Sequence, residues 1–307
     1  MIRKLLLAVL VMAHVALHAA SPREGDWKKV EEAMQKGLPK TAIEAIEPII
    51  QGALADQAWA EATKAIARKI ALEGQIEGEK PEEKITRLEV ALTTAPAAVR
   101  PLLNTILANW YGQYFQMNRW RFMQRTATAA PSGEDFTTWD LKRLFAHISA
   151  VFDRALAEPD RLKQTPIAAF DELLDKGTVP DKFRPTLYDF VAQQALTFYT
   201  AGEQAGARPE DAADLPATSP VLDDADAFMA WDPGHADSTS PVLKALRLYQ
   251  ELLRFHARTA DNDPSALADA DLQRLRFAHS AAFGEEKEAR AVFPMARLAR
   301  EGMTIEL

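Results

Sequence analysis

The sequence predicts an all-α protein of stacked antiparallel helix pairs, an α-solenoid of TPR-like kind interrupted by one long irregular loop. Three observations predict it. Apolar residues recur at steps of three and four along most of the chain, and strand-like alternation is almost absent. Residues that start and stop helices bracket those runs. Near the N-terminus two consecutive helix pairs of similar size would each leave an apolar face that only the next pair can cover, which is how helical repeats stack. The small-residue positions drift between pairs, so spacing alone names no repeat family.

Asp26 is positioned to cap a first helix with Trp27, Val30 and Met34 on one face, and Gly37 stops it. Thr41 and Glu44 have the spacing of a capping box ahead of Ile43, Ile46, Ile49, Ile50 and Ala53, with Pro48 expected to kink or split that second helix. A third helix follows Asp56, turning inward Trp59, Ala62, Ile66 and Ile70 and ending in the Gly74 to Gly78 turn. Pro81 opens a fourth, with Ile85, Leu88, Leu92 and Ala95 inward.

Arg100-Pro101 and Arg184-Pro185 each start a long apolar helix. Between them Pro131-Ser132-Gly133 makes a loop, Asp140 caps a helix through Leu144, Ile148, Val151, Phe152 and Leu156, and Pro166 begins a shorter one through Phe170 and Leu174. From Ala201 to Ser240 the pattern fails in favour of Asp, Ala, Pro and Gly, giving either an ordered loop pinned by Val221, Leu222, Phe228 and Trp231 or a connector. Helical spacing returns at Pro241 and again after Asp263-Pro264. The chain thus divides into a leader over 1–20, a helical-repeat domain over 26–203, a loop or connector over 204–240, and C-terminal helices over 241–307 that pack on the same domain and end in a tail that reads as truncated.

The leader has Arg3 and Lys4 before an apolar stretch from Leu5 to Leu17, then Ala19 and Ala20 ahead of Ser21-Pro22, the pattern of a cleavable secretory signal. Removing it lowers the 36 basic residues by two, to 34, against 44 acidic ones, a net charge of −10. A surplus of acid speaks against nucleic acid as a partner. No cysteine is present, which excludes disulfides, thiolate catalysis and thiolate metal sites and suits an oxidising envelope compartment. The expected address is the periplasm, with no transmembrane span in the mature chain.

The densest chemistry lies in ILANWYGQYFQMNRWRFMQRT, from Ile106 to Thr126. Trp110, Tyr114, Met117 and Arg121 fall at helical steps on one face, and Tyr111, Phe115 and Phe122 widen it, so the segment reads as a buried core helix whose arginines pair with acidic neighbours. Should Arg119, Trp120 and Arg125 face solvent instead, they are the first candidates for partner binding, because Trp and Arg dominate interface hot spots.

Catalytic and metal motifs are missing. His147, His235, His256 and His279 stand singly, without the four-residue spacing of a helical metal site. Asp261-Asn262-Asp263 opens like a calcium loop, but Ala266 and Leu272 stand where glycine and glutamate are needed, and Asp263 capping a helix begun by Pro264 accounts for the same residues. Asp223, Asp224 and Asp226 read as solvated loop charge. Serine-hydrolase and phosphate-loop patterns are lacking. No catalytic residue, cofactor or metal is expected.

GLPKTAIEAI at Gly37 to Ile46, the Ile106 to Thr126 segment, DFTTWDL at Asp135 to Leu141, RPTLYDF at Arg184 to Phe190 and LRLYQELLRFH at Leu246 to His256 together resemble the N-terminal helical region of large bacterial alpha-2-macroglobulin-like proteins, over about Trp27 to Arg290. The resemblance implies a periplasmic protein of the protease-inhibitor class. Its partners would be proteins, envelope proteases or downstream macroglobulin domains. Two departures stand out: the thioester motif Cys-x-Glu-Gln cannot exist without cysteine, and the chain ends before any macroglobulin domain. The expected function is a non-enzymatic interaction or scaffold module. One alternative is an envelope glycan-binding protein or carboxylate-based hydrolase using the aromatic cluster; another is a truncated fragment without function.

Overall fold

The computed structural model describes residues 23–76, 78, 80–124, 133–174, 178–204, 215–234, 239–258 and 263–291. The leader, Arg125, Pro131-Ser132, His235, Asp261-Asn262 and the tail from 292 onward lie outside the described residues. Among the described residues the fold is all-helical, with two isolated bridges, Pro166 to Thr186 and Pro216 to Phe283, in place of any sheet. No helix there is long and apolar enough to cross a membrane.

Helices α1 (Glu24–Gln35), α2 (Pro39–Ala55), α3 (Trp59–Ile76), α4 (Pro81–Thr94) and α5 (Arg100–Met117) follow one another through short connections, and each packs on the next. Turns this short force antiparallel neighbours. The first tight turn needs Gly37, whose φ of +66° is strained for any side chain. Three helix starts differ from the sequence reading. Asp26 lies inside the first turn of α1, bonded to Lys29, because Arg23 occupies the position before the helix and its carbonyl starts it by accepting the Asp26 and Trp27 N–H groups. Pro39, whose missing N–H is harmless in the first turn, begins α2 ahead of Thr41 and Glu44, so no capping box forms there. The later helix Leu187–Tyr199 begins after a capping box of Thr186 and Asp189, which leaves Pro185 outside.

Interior breakers also matter less than expected. One helix runs through Pro48, which is exposed, so the Glu44 carbonyl it leaves unbonded faces water. Gly74 is buried within α3 rather than ending it, and the reason is packing: a Cβ there would stand 3.2 Å from the Lys84 Cβ of α4. Asp263 accepts the Ser265 N–H at 2.9 Å, but Pro264 is the capping residue and Ser265 the first of the helix, one place later than the sequence suggested.

Past α5 come α6 (Arg119–Gln124), α7 (Leu141–Ala155), α8 (Pro159–Gln164) and α9 (Leu187–Tyr199). Asp140 caps α7, accepting the Arg143 N–H at 2.7 Å, as its sequence position indicated. A 3₁₀ turn, Ile167–Phe170, replaces the helix expected after Pro166. Next are α10 (Ala225–Ala230), α11 (Pro241–Ala257) and α12 (Ser265–Ala281). The α5, α7, α9, α11 and α12 faces contribute to one continuous apolar core, while Val30, Ala42, Ile46, Ile49 and their neighbours make a smaller one between α1, α2 and α3.

The pattern-poor stretch is ordered where it is described. Val221, Leu222 and Phe228 are buried, but polar groups do much of the pinning. Arg274 of α12 is fully buried and donates to the carbonyls of Val221 at 2.7 Å and Asp223 at 2.9 Å. Its guanidinium lies 4.7 Å from the Phe228 ring and pairs with Asp271. Arg290 reaches the Ala217 carbonyl and the Asp223 carboxylate. Gln250 of α11 donates to the Phe228 and Trp231 carbonyls. Asp223 and Asp224 are therefore structural, the first an ion-pair partner and the second the cap of α10, and the reading of this acidic run as solvated charge is corrected for both.

Candidate functional site

The described part of the aromatic segment, Ile106 to Gln124, is two helices, not one. Asn118 ends α5, its φ of −115° and ψ of 17° leaving the helical range; its side-chain amide shares the Tyr114 carbonyl with its own N–H, and its carbonyl starts α6 by accepting the Arg121 N–H at 2.9 Å. The break resets the helical phase. Tyr111, Tyr114, Phe115 and Phe122 are buried, joined by edge-to-face contacts such as Phe115 to Phe145 at 4.9 Å and Tyr111 to Phe136 at 5.0 Å. Trp110 is half-buried under the Lys84 ammonium. The face drawn through Trp110, Tyr114, Met117 and Arg121 is thus corrected: its second half points to solvent. Met117, Trp120 and Met123 are 59%, 65% and 53% exposed.

Of the candidate partner-binding residues, Arg119 and Trp120 lie together on this corner, and Arg125 lies outside the described residues. Arg119 is held over the surface by Glu203 at 3.4 Å, just past α9. Three large apolar side chains beside a positioned arginine make a surface that water solvates poorly.

Next to this corner a groove of about 690 Å³ runs between α5, α7 and α9. Asn109 meets Gln194 at 3.0 Å, and further along both chains Gln116 meets Glu203 at 3.5 Å, so α5 and α9 run in the same direction with α7 below. Phe115, Ile148, Phe152 and Phe198 form the floor, and side-chain amides line the rims. Glu203 is the one carboxylate among the lining residues. Hydrolysis by paired carboxylates needs two across the scissile bond.

A smaller recess of about 180 Å³ continues from this groove past Phe145 and Phe198. Here the Lys244 ammonium is 2.8 Å from Ser149 Oγ, the spacing of a serine with a lysine base. Asp153 also holds that ammonium, at 2.6 Å and 2.8 Å to its two oxygens. The ammonium is committed to that carboxylate, so the contact with Ser149 is organised around an ion pair rather than as nucleophile and base. A third concavity, between α2, α3 and α4, is flanked by the ion pairs Glu47–Lys69 and Glu73–Arg87.

The histidines find separate carboxylates. His256 and Asp189 pair at 2.6 Å in the interior, tying α11 to the cap of α9, and His279 meets Glu288 at 3.2 Å near the surface. Among the described residues no group of three His, Cys, Asp or Glu is placed to hold a metal ion. His147 joins Glu89 at 3.2 Å, and the Tyr111 hydroxyl donates to the same oxygen at 2.8 Å. This cluster was invisible in sequence because its members come from α4, α5 and α7.

Burial opposes ionisation of Glu89, but the hydrogen bonds from His147 and Tyr111, with the charges of His147 and Arg154, outweigh it and set the carboxyl below its ordinary 4.5. A carboxyl depressed on folding stabilises above its unfolded pKa, and that contribution is lost as pH falls through the folded value. Glu89→Gln is therefore expected to flatten the acid limb of the melting-temperature profile below about pH 4.5 and to leave its shape near neutrality unchanged. Thermal melts from pH 3 to 7, roughly the range over which carboxylates titrate, check this; parallel profiles for both proteins would refute it.

Compared with protein-family models, curated proteins and solved structures, the chain matches none.

Proposed function

We propose that this chain is an exported, non-enzymatic interaction module that docks a protein partner on the corner where α5 meets α6. The observation that carries the reading is the exposure of Met117, Trp120 and Met123 on one corner together with Arg119. Hot spots of protein interfaces are enriched in Trp and Arg, and a rigid apolar cluster gives such a site its desolvated centre. The secretory pattern of the first 20 residues and the absence of cysteine support a periplasmic setting. Resemblance to the helical region of bacterial alpha-2-macroglobulin-like proteins supports the class of partner: an envelope protease, or downstream macroglobulin domains. Within that reading the module positions or recruits and does not itself trap a protease, since the thioester chemistry requires a cysteine this chain lacks.

A photo-crosslinking residue at position 120, introduced in producing cells, tests the site. The expected result is one heavier adduct in the envelope fraction, absent when the same residue replaces exposed Lys40 on α2. Equal adducts at both positions, or none at 120, would reject the docking corner.

A further inference from the structure

We propose that the groove between α5, α7 and α9 receives the C-terminus of an apolar peptide, its terminal carboxylate on Lys84 and its last side chain on the phenyl floor. This names the partner chemistry of the module and rests on that reading. Lys84 stands where α4 meets the groove, with its ammonium 4.9 Å from the Trp110 ring centre. Among the described residues no carboxylate pairs with it, although Glu82 and Glu83 are its chain neighbours. Burial draws its pKa below the ordinary value, the mark of an ammonium that has lost water without gaining an anion. An arriving carboxylate restores the missing partner, and Trp110 keeps the cation in place until then.

The remaining lining distinguishes a peptide from other acids. Asn109 donates to the Gln194 oxygen at 3.0 Å, so the amide groups the rims turn to a ligand are those of Gln113, the Asn109 oxygen and the Gln194 nitrogen, donors and acceptors together. A peptide backbone matches these groups with its own N–H and C=O, whereas an acyl chain buried among them would leave them unsatisfied. The floor of Phe115, Phe152 and Phe198 suits an aromatic or branched terminal side chain. From Asn109 to Gln116 the helix rises about 10 Å, room for about three extended residues. At the opposite end Glu203 repels a carboxylate, so the charges of the groove run from cation at α4 to anion near α6 and fix the direction of the bound chain.

The test is calorimetric titration of the full chain with acetyl-Ala-Ala-Phe as free acid, with the same peptide as C-terminal amide, and with decanoate. The acid is expected to bind about 10- to 100-fold more tightly than the amide, as a charge-assisted contact requires. Lys84→Met should remove that preference while its melt stays that of the parent. Gln113→Leu, on the exposed rim, should weaken acid and amide alike. Equal affinity for acid and amide, an acid preference that survives Lys84→Met, decanoate binding as tight as the peptide's, or no saturable binding would each overturn the proposal. Crosslinking at position 120 separates the two claims: if it persists while the peptides fail, only the groove assignment falls, and if it too is lost, the module reading falls with it.

Discussion

Arg274→Ala is expected to lower the folding free energy by about 3–5 kcal/mol, because it leaves the Asp271 carboxylate buried without its cation. The loss extends beyond one ion pair. The buried Val221 carbonyl and the partly buried Asp223 carbonyl lose their donor, and the Phe228 ring loses the guanidinium packed on it. Those residues hold the stretch 215–234 against α12, so hydrogen exchange should rise there before it rises in α5 or α7. Arg274→Met keeps apolar bulk but restores neither the charge nor the donors, and should fall close to alanine. A double change, Arg274→Met with Asp271→Leu, should recover part of the loss, since it removes the stranded carboxylate as well. Urea unfolding of the three variants measures this. If Arg274→Ala unfolds at the parent's midpoint, the guanidinium is not what orders the loop.

Phe115→Ala should cost about 3–5 kcal/mol, the range for deleting a large buried aromatic. Trp110→Ala, one turn earlier on the same helix, should cost about half of that. The difference follows from packing: Phe115 is 2% exposed and edge-on to Phe145, while Trp110 is only partly covered and contributes chiefly to the Lys84 contact. Chemical denaturation of both variants decides the order. Trp110 proving the costlier would mean that the aromatic run packs on the face first drawn from its spacing, not on the one that turns at Asn118.

Much of the fold was legible because short-range physics determined it. The apolar steps of α4, α7 and α11, the cap at Asp140 and the stop at Gly37 are local decisions written in local residues. The misreadings share one cause: a second device nearby competed and won. Pro39 pre-empted Thr41, Thr186 pre-empted Pro185, and the non-helical backbone of Asn118 split a run whose apolar period looked unbroken. Short α8 escaped notice since Pro159–Gln164 contains a single buried residue, Leu162.

The site was less legible than the fold. Arg119 and Trp120 could be singled out by residue type, but their exposure depended on a phase shift at one asparagine. Glu89, Tyr111 and His147 lie on three helices, and Ser149 and Lys244 on two, and no spacing in one sequence relates them. The buried arginine of α12 that holds the loop was missed for a similar reason. Arg274 looks like any surface cation until its carbonyl partners, more than 50 residues away in the chain, are known.

Hydroxyl-radical footprinting of the chain, free and in the envelope fraction of producing cells, tests the division of the aromatic run most directly. The expected pattern is rapid oxidation of Met117, Trp120 and Met123 in the free chain, strong protection of those three in the envelope fraction, and slow oxidation of Tyr111, Tyr114 and Phe115 in both. Fast oxidation of Tyr111 and Phe115 in the free chain, or unchanged reactivity of Trp120 in the envelope fraction, would contradict a filled core bearing an exposed docking corner.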